Sequence, residues 1–312
     1  MRGVISPKLA PFLAQVNEAI AQVKQQNLVF SAEQVRAGLN NLSAFLVKSP
    51  HISLVIDKYL TNESHKIPVR IYHPSPQESL PVLIHFHGGG HMCGSIDLYD
   101  PISRQLAKIT HCIVICVDYR LSPEYPYPLG IDDCQQLLVN YKQLLNGLNY
   151  GAKLYIVGDS AGGAICTTLA MQSLTNNEIK IDKQILIYPS VDYTMSGASI
   201  TENGQGFLLE QDKIKWYFQA YFQHKNLDSE QVKLASPLFG CITDKIPETL
   251  IITGGCDPLR DEGLAYQQAL INAGVRVKSH HFEHMPHAFM LLQSLVEDEC
   301  EQCYQLFSDF LK

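Results

Sequence analysis

Ser160 stands in Gly158-Asp159-Ser160-Ala161-Gly162, after the apolar run Leu154-Tyr155-Ile156-Val157 and before a small-residue helical pattern through Ala164, Ile165, Leu169 and Ala170. A strand, sharp turn and helix of this kind lifts one hydroxyl clear of a sheet, because the flanking glycines leave room for a strained backbone. Such a serine is a nucleophile in need of a base. Two later segments offer the rest of a proton relay. Asp257 follows the buried-strand pattern 249–253 and Gly254-Gly255, and Pro258 restricts it to extended geometry. His287 follows a strand-like alternation over 275–282 and precedes Ala288-Phe289. Nucleophile, acid and histidine in this chain order would make Ser160 the attacking group, Asp257 the orienting carboxylate and His287 the general base.

A second glycine run lies upstream. Val82-Leu83-Ile84-His85-Phe86 leads into His87-Gly88-Gly89-Gly90, where backbone N–H groups can approach a ligand because no Cβ stands in the way. Acyl transfer needs pre-aimed donors for the developing oxyanion, and losing one costs on the order of 3 kcal/mol. The expected donors are the N–H groups of Gly88, Gly89 and Ala161, with His87 and Gly90 shaping the loop. His284 competes as the base from a loop position before Pro286. Asp261 competes as the acid, but it opens a helical stretch and reads as an N-terminal helix charge. His85, His87 and His91 lack the further ligands a zinc hydrolase would need, so neither a metal nor an organic cofactor is expected. Asp118 and Arg120, just past a strand end, are expected to pair and shape their loop.

The combination of His87-Gly88-Gly89-Gly90, Asp118-Tyr119-Arg120-Leu121-Ser122-Pro123-Glu124, Gly158-Asp159-Ser160-Ala161-Gly162-Gly163 and Asp257-Pro258-Leu259-Arg260-Asp261-Glu262-Gly263 resembles the hormone-sensitive lipase family of α/β-hydrolases, in particular its compact bacterial esterases. The resemblance runs over residues 50–312. It implies that Ser160, Asp257 and His287 form the triad, that the glycine loop supplies oxyanion donors, and that small esters with short to medium acyl chains are hydrolysed through an acyl-enzyme. The same chemistry would serve an amidase or peptidase, and the same scaffold a non-catalytic ligand-binding receptor. Two positions depart from the family pattern. His91 replaces the usual aromatic after the glycines and is expected to border the acyl site. Ala288 replaces a glycine after the histidine, which is tolerable unless the backbone there needs a positive φ.

These groups need a scaffold that brings distant segments to one edge. Near-continuous Val/Ile/Leu runs at 82–87, 113–118, 154–157, 185–188, 250–253 and 275–282 alternate with helical patterns, which predicts an α/β-hydrolase fold: a mostly parallel central sheet with helices on both faces. Residues 54–60 and 69–72 read as an antiparallel pair. Two amphipathic helices are expected within residues 1–50, the second capped by Ser31 with Gln34. The stretch 191–234 is too long for an ordinary loop and is rich in aromatics. The expected organisation is a catalytic domain over 51–312, with a helical cap built from the 191–234 insertion and the N-terminal helices.

The chain has 312 residues, 46% of them hydrophobic, and a formal net charge of -7, which leaves no basic footprint for nucleic acid. No apolar run reaches the length of a membrane span, and the first residues lack a secretory h-region. The nine cysteines are an odd number scattered through strand and helix patterns, as in a reduced, cytoplasmic chain.

Overall fold

A computed structural model describes residues 1–25, 30–61, 65–175, 179–223 and 225–312. The strands are β1 (Leu54–Thr61), β2 (Lys66–His73), β3 (Leu80–Phe86), β4 (Ile113–Val117), β5 (Tyr150–Asp159), β6 (Lys183–Ile187), β7 (Glu248–Cys256) and β8 (Val277–Pro286). They form one sheet in the order β1-β2-β4-β3-β5-β6-β7-β8. β1 and β2 pair antiparallel, as do β2 and β4. From β4 through β8 every neighbour is parallel.

The helices are α1 (Ala10–Gln25), α2 (Ala32–Asn40), α3 (Ile96–Thr110), α4 (Leu129–Leu144), α5 (Ala161–Ser173), α6 (Ser199–Glu202), α7 (Gln211–Tyr221), α8 (Glu230–Ala235), α9 (Arg260–Asn272) and α10 (Glu297–Leu311). Ser31 caps α2, its Oγ accepting the Gln34 N–H at 3.2 Å. The strands β3 to β7 are apolar at successive positions because both faces are covered. Leu83, Val114, Val157, Ile185 and Ile252 pack with α3 and α10 on one side. Their chain neighbours Val82, Ile115, Ile156, Leu186 and Ile251 pack with α4, α5 and α9 on the other. The period-2 alternation of a strand thus builds two cores from one sheet.

A third cluster lies beyond the carboxyl ends of the strands and joins Val35 of α2 to Tyr193 and to Ile214, Tyr217, Phe218 and Tyr221 on and around α7. Among the described residues, no helix is long and apolar enough to cross a membrane.

Two local expectations differ from the structure. β8 continues to Pro286, past a register shift between Gly254 and Cys256 of β7. The prolongation absorbs His284 into the strand, where its Nδ1 meets the Val4 carbonyl at 2.8 Å. Arg120 pairs with Asp133 of α4 (2.9 Å), while Asp118 Oδ1 accepts the Ile96 N–H at 2.6 Å. The guanidinium takes the acid that the helix brings beside it, and the expected Asp118–Arg120 pair is not made.

Candidate active site

Ser160 is the first residue beyond β5 and adopts φ 55°, ψ −119°, a conformation that L-residues avoid and that turns the chain abruptly from strand into α5. The turn closes only with glycine at position 162. A Cβ there would lie 1.9 Å from the Phe86 carbonyl oxygen of β3. The Ser160 backbone is held from both sides, its N–H donating to Ile187 O at 2.8 Å and its carbonyl accepting from Ser190 N–H at 3.0 Å.

Asp257 and His287 follow the ends of the neighbouring strands β7 and β8, so parallel pairing brings both to the edge that presents Ser160. The Ser160 Oγ lies 2.8 Å from His287 Nε2, and His287 Nδ1 lies 2.8 Å from Asp257 Oδ2. A carboxylate only accepts, so the Nδ1 proton points at Asp257 and the Nε2 lone pair at the serine hydroxyl. The other carboxylate oxygen accepts the Leu259 N–H at 2.7 Å, which fixes the plane of the group. Asp257 and His287 are buried, and Ser160 retains 8% exposure and lines a cavity together with His287. The arrangement can pass a proton from a hydroxyl to an imidazole whose resulting charge faces a fixed carboxylate.

The glycine loop differs from expectation at one donor. The Gly88 N–H is already committed to Asp159 Oδ1 at 2.8 Å, and a Cβ on Gly88 would fall 2.3 Å from the other oxygen of that carboxylate. Gly89 and Gly90 line the cavity beside Ser160, and Gly88 does not. Among the described residues, neither the Gly89 nor the Gly90 N–H has a hydrogen-bond partner. The Ala161 N–H belongs to the first turn of α5, where helix geometry leaves donors without an internal acceptor. The loop N–H groups left free beside the cavity are therefore those of Gly89 and Gly90, one residue displaced from the sequence reading, with the Ala161 N–H at the start of α5 directly after Ser160.

His87 holds the start of that loop. Its ring is stacked between Tyr99 and Tyr119, at centroid distances of 5.3 and 4.5 Å, and its Nδ1 lies 2.8 Å from the Gly88 carbonyl. Burial lowers its pKa, which keeps the ring neutral and the tautomer fixed by that carbonyl.

His91 does not border the cavity. A backbone φ of 58° turns it away; its ring stacks on Tyr221 at 4.0 Å and its Nε2 meets the Tyr193 hydroxyl at 2.9 Å. Burial, with neighbouring His87 as a smaller cause, pushes its pKa down to about 3. It acts as a neutral aromatic wedge under α7. Ala288 does occupy the left-handed region, at φ 60°, ψ 22°. A non-glycine residue there costs roughly 1–2 kcal/mol, while glycine forfeits about 0.4–1 kcal/mol through the freedom of the unfolded chain. Ala288→Gly is expected to raise stability by a net amount of about 0.5–1 kcal/mol, read as a higher urea midpoint at unchanged slope. A lower midpoint would mean that the Ala288 methyl, which lines the cavity, contributes more than its backbone costs.

Three supporting residues were not foreseen. Asp159 joins the nucleophile turn to the glycine loop, with Oδ1 on Gly88 and Oδ2 accepting the Tyr99 hydroxyl at 3.0 Å. Burial raises its pKa to about 6 against the lowering effect of those two donors. A charged residue between a buried strand and a nucleophile is itself a signal, since only a partnered carboxylate survives there. Tyr99, on α3, carries no such signal. Asn203 follows α6, and its amide donates to the carbonyls of Gly255 and Asp257 at 3.1 and 3.0 Å while its oxygen accepts the Gly3 N–H at 2.9 Å. It ties the amino terminus and the insertion to the acid loop. Asp261, near the start of α9, accepts the Ser199 N–H at 2.8 Å and has no contact with His287.

The same fold recurs in known proteins. Residues 83–291 match a protein family described as having the alpha/beta hydrolase fold, and the chain belongs to that family. An ethyl acetate hydrolase of Pseudomonas putida is 31% identical over 95% of both chains. An esterase of Pyrobaculum calidifontis superposes with a TM-score of 0.85 at 30% identity, covering 99% of this chain and 98% of its own. An ester-hydrolase from the metagenome of Lake Arreo gives a TM-score of 0.87 at 26% identity, with coverage of 99% and 98%.

Proposed function

We propose that this chain is a serine carboxylesterase acting on esters of short to medium acyl chains. That it is a carboxylic ester hydrolase follows from its esterase relatives. The observation that carries the mechanism is the continuous relay from Ser160 Oγ through His287 to Asp257, with both links at 2.8 Å.

An ester carbonyl lies with its oxygen toward the N–H groups of Gly89, Gly90 and Ala161. Ser160 Oγ bonds to the carbonyl carbon as its proton moves to His287 Nε2. The tetrahedral oxyanion is stabilised by donors fixed beforehand, each worth on the order of 10²–10³ in rate. His287 then protonates the leaving alcohol as the C–O bond breaks, leaving an acyl-serine. Water attacks that carbonyl and gives its proton to the same nitrogen. Collapse releases the acid and returns the proton to Ser160. Asp257 holds the ring in the required tautomer and stabilises its cationic form. The mechanism uses no metal or organic cofactor.

Within the α/β-hydrolases, the four motifs together support membership of the hormone-sensitive lipase family. The cap consists of α1, α2 and the insertion carrying α6 and α7. Its support is the cavity itself, whose outer wall comes from Gly38, Leu39 and Leu42 on one side and Leu208, Ile214, Tyr217 and Phe218 on the other. A relative that hydrolyses ethyl acetate favours small acyl groups.

The test is a p-nitrophenyl ester series from acetate to palmitate, run beside matched p-nitroanilides. A kcat/KM maximum at or below octanoate, with the anilides at least about 100-fold slower, is expected. A maximum at palmitate, or anilides cleaved as fast as esters, contradicts the reading.

A further inference from the structure

The cavity over Ser160 carries an unexplained cation. On α7, Ile214, Tyr217 and Phe218 line it at helical spacing, as an apolar wall should, yet Lys213 lines it beside them. Lys213 also lines the apolar groove that runs between α1, α2 and α7, with Leu42 and Leu208 common to both spaces. It therefore stands where the cavity opens into the groove.

Nearby cations are matched. Lys24 meets Glu210 at 2.6 Å, Arg36 meets Glu124 at 2.6 Å, and Arg260 meets Glu202 at 3.0 Å. Among the described residues, no carboxylate lies within ion-pair distance of Lys213, and its ammonium rests 5.7 Å from the centroid of the Tyr217 ring. The acid sharing the cavity, Asp159, has its oxygens engaged by Gly88 and Tyr99. Burial pulls the Lys213 pKa below that of an ordinary lysine, with Cys93 and Glu210 as smaller opposing causes. A half-buried ammonium with no carboxylate in reach carries a desolvation cost, and an anion supplied by the ligand would offset it. The unmatched charge lining the cavity is thus positive, on the side shared with the groove and among apolar walls.

We propose that Lys213 is a specificity residue that binds a carboxylate carried by the substrate at a distance from its scissile ester, so that half-esters of dicarboxylic acids or esters of hydroxy acids are preferred over neutral esters of the same length. This rests on the ester-hydrolase reading above. Two matched pairs test it by placing the charge on either side of the ester. One is p-nitrophenyl hydrogen glutarate against p-nitrophenyl pentanoate; the other is 4-acetoxybutyrate against butyl acetate, followed by pH-stat.

The ratio of kcat/KM, anionic over neutral, is expected to fall at least tenfold in one pair for Lys213→Met, through KM, and to be largely restored in Lys213→Arg. The pair that responds tells which side of the ester bears the acid. A ratio that falls less than threefold in both pairs overturns the proposal and leaves Lys213 a packing residue. So does an equal loss in Lys213→Arg and Lys213→Met. If the unaltered protein cleaves none of the four esters, it is the hydrolase reading that fails, and with it this extension.

Discussion

Ser160→Ala is expected to lower kcat on the preferred ester by at least about 10⁴-fold, with little change in KM and none in the cooperativity of unfolding. The argument is geometric. The hydroxyl is the sole group that His287 Nε2 contacts in the relay, at 2.8 Å, so its removal deletes the nucleophile and leaves the imidazole without a proton to accept. The alanine keeps the Cβ that the strained turn already accommodates, and the backbone bonds to Ile187 and Ser190 persist. What survives is the rate due to binding and to the oxyanion donors alone. Retention of more than about one hundredth of the activity, far above the residue such donors leave, would mean that another group attacks. Stopped-flow measurement of the p-nitrophenolate burst adds a second readout, since the burst should vanish with the acyl-enzyme.

Asp257→Asn is expected to cost about 10⁴-fold in kcat, close to the loss of the nucleophile although the substitution is nearly isosteric. One oxygen of Asp257 accepts the Leu259 N–H at 2.7 Å, and the other faces His287 Nδ1 at 2.8 Å. An asparagine keeps its carbonyl on the Leu259 donor, which turns its amide N–H toward the ring. Nδ1 must then accept, the ring proton moves to Nε2, and the atom facing Ser160 becomes a donor unable to take the serine proton. Asp257→Ala removes the misdirecting donor as well as the carboxylate, so it is expected to lose no more activity than the asparagine variant. Steady-state kinetics on both variants, with circular dichroism to confirm the fold, decide it. An asparagine variant within tenfold of the parent would show that the carboxylate does not set the tautomer.

The features legible in the sequence are those whose signals are local. Ser160 is announced by glycines that the turn needs for contact, as Gly162 against Phe86 illustrates. β7, which ends just before Asp257, is apolar on both faces because two cores cover it, while β8, the edge strand before His287, shows only an alternation. Parallel pairing then places all three residues at one edge, so chain order and strand pattern suffice to bring them together.

What escaped depends on contacts between segments. The Gly88 N–H looks like any donor of a glycine loop until Asp159 takes it. His91 follows the glycines in sequence, but a positive φ carries its ring to Tyr221. Arg120 is two residues from Asp118, yet α4 delivers Asp133 to it. Asn203 has no sequence mark, because both carbonyls it binds belong to a strand end formed far along the chain. Lys213 is hidden differently. On a helix, one lysine next to an apolar stripe reads as its solvent edge, and only the neighbouring cavity and groove show that this edge faces a pocket.

The account turns on Ser160 being the atom that becomes acylated, and a mechanism-based phosphonate tests this most directly. Incubation with a p-nitrophenyl alkylphosphonate, followed by peptide mass mapping, should give one adduct per chain on the peptide containing Ser160. Activity should fall in proportion to labelling, and Ser160→Ala should remain unlabelled. Full activity in a protein that takes up no phosphonate, or a stoichiometric adduct on any other residue, would contradict it.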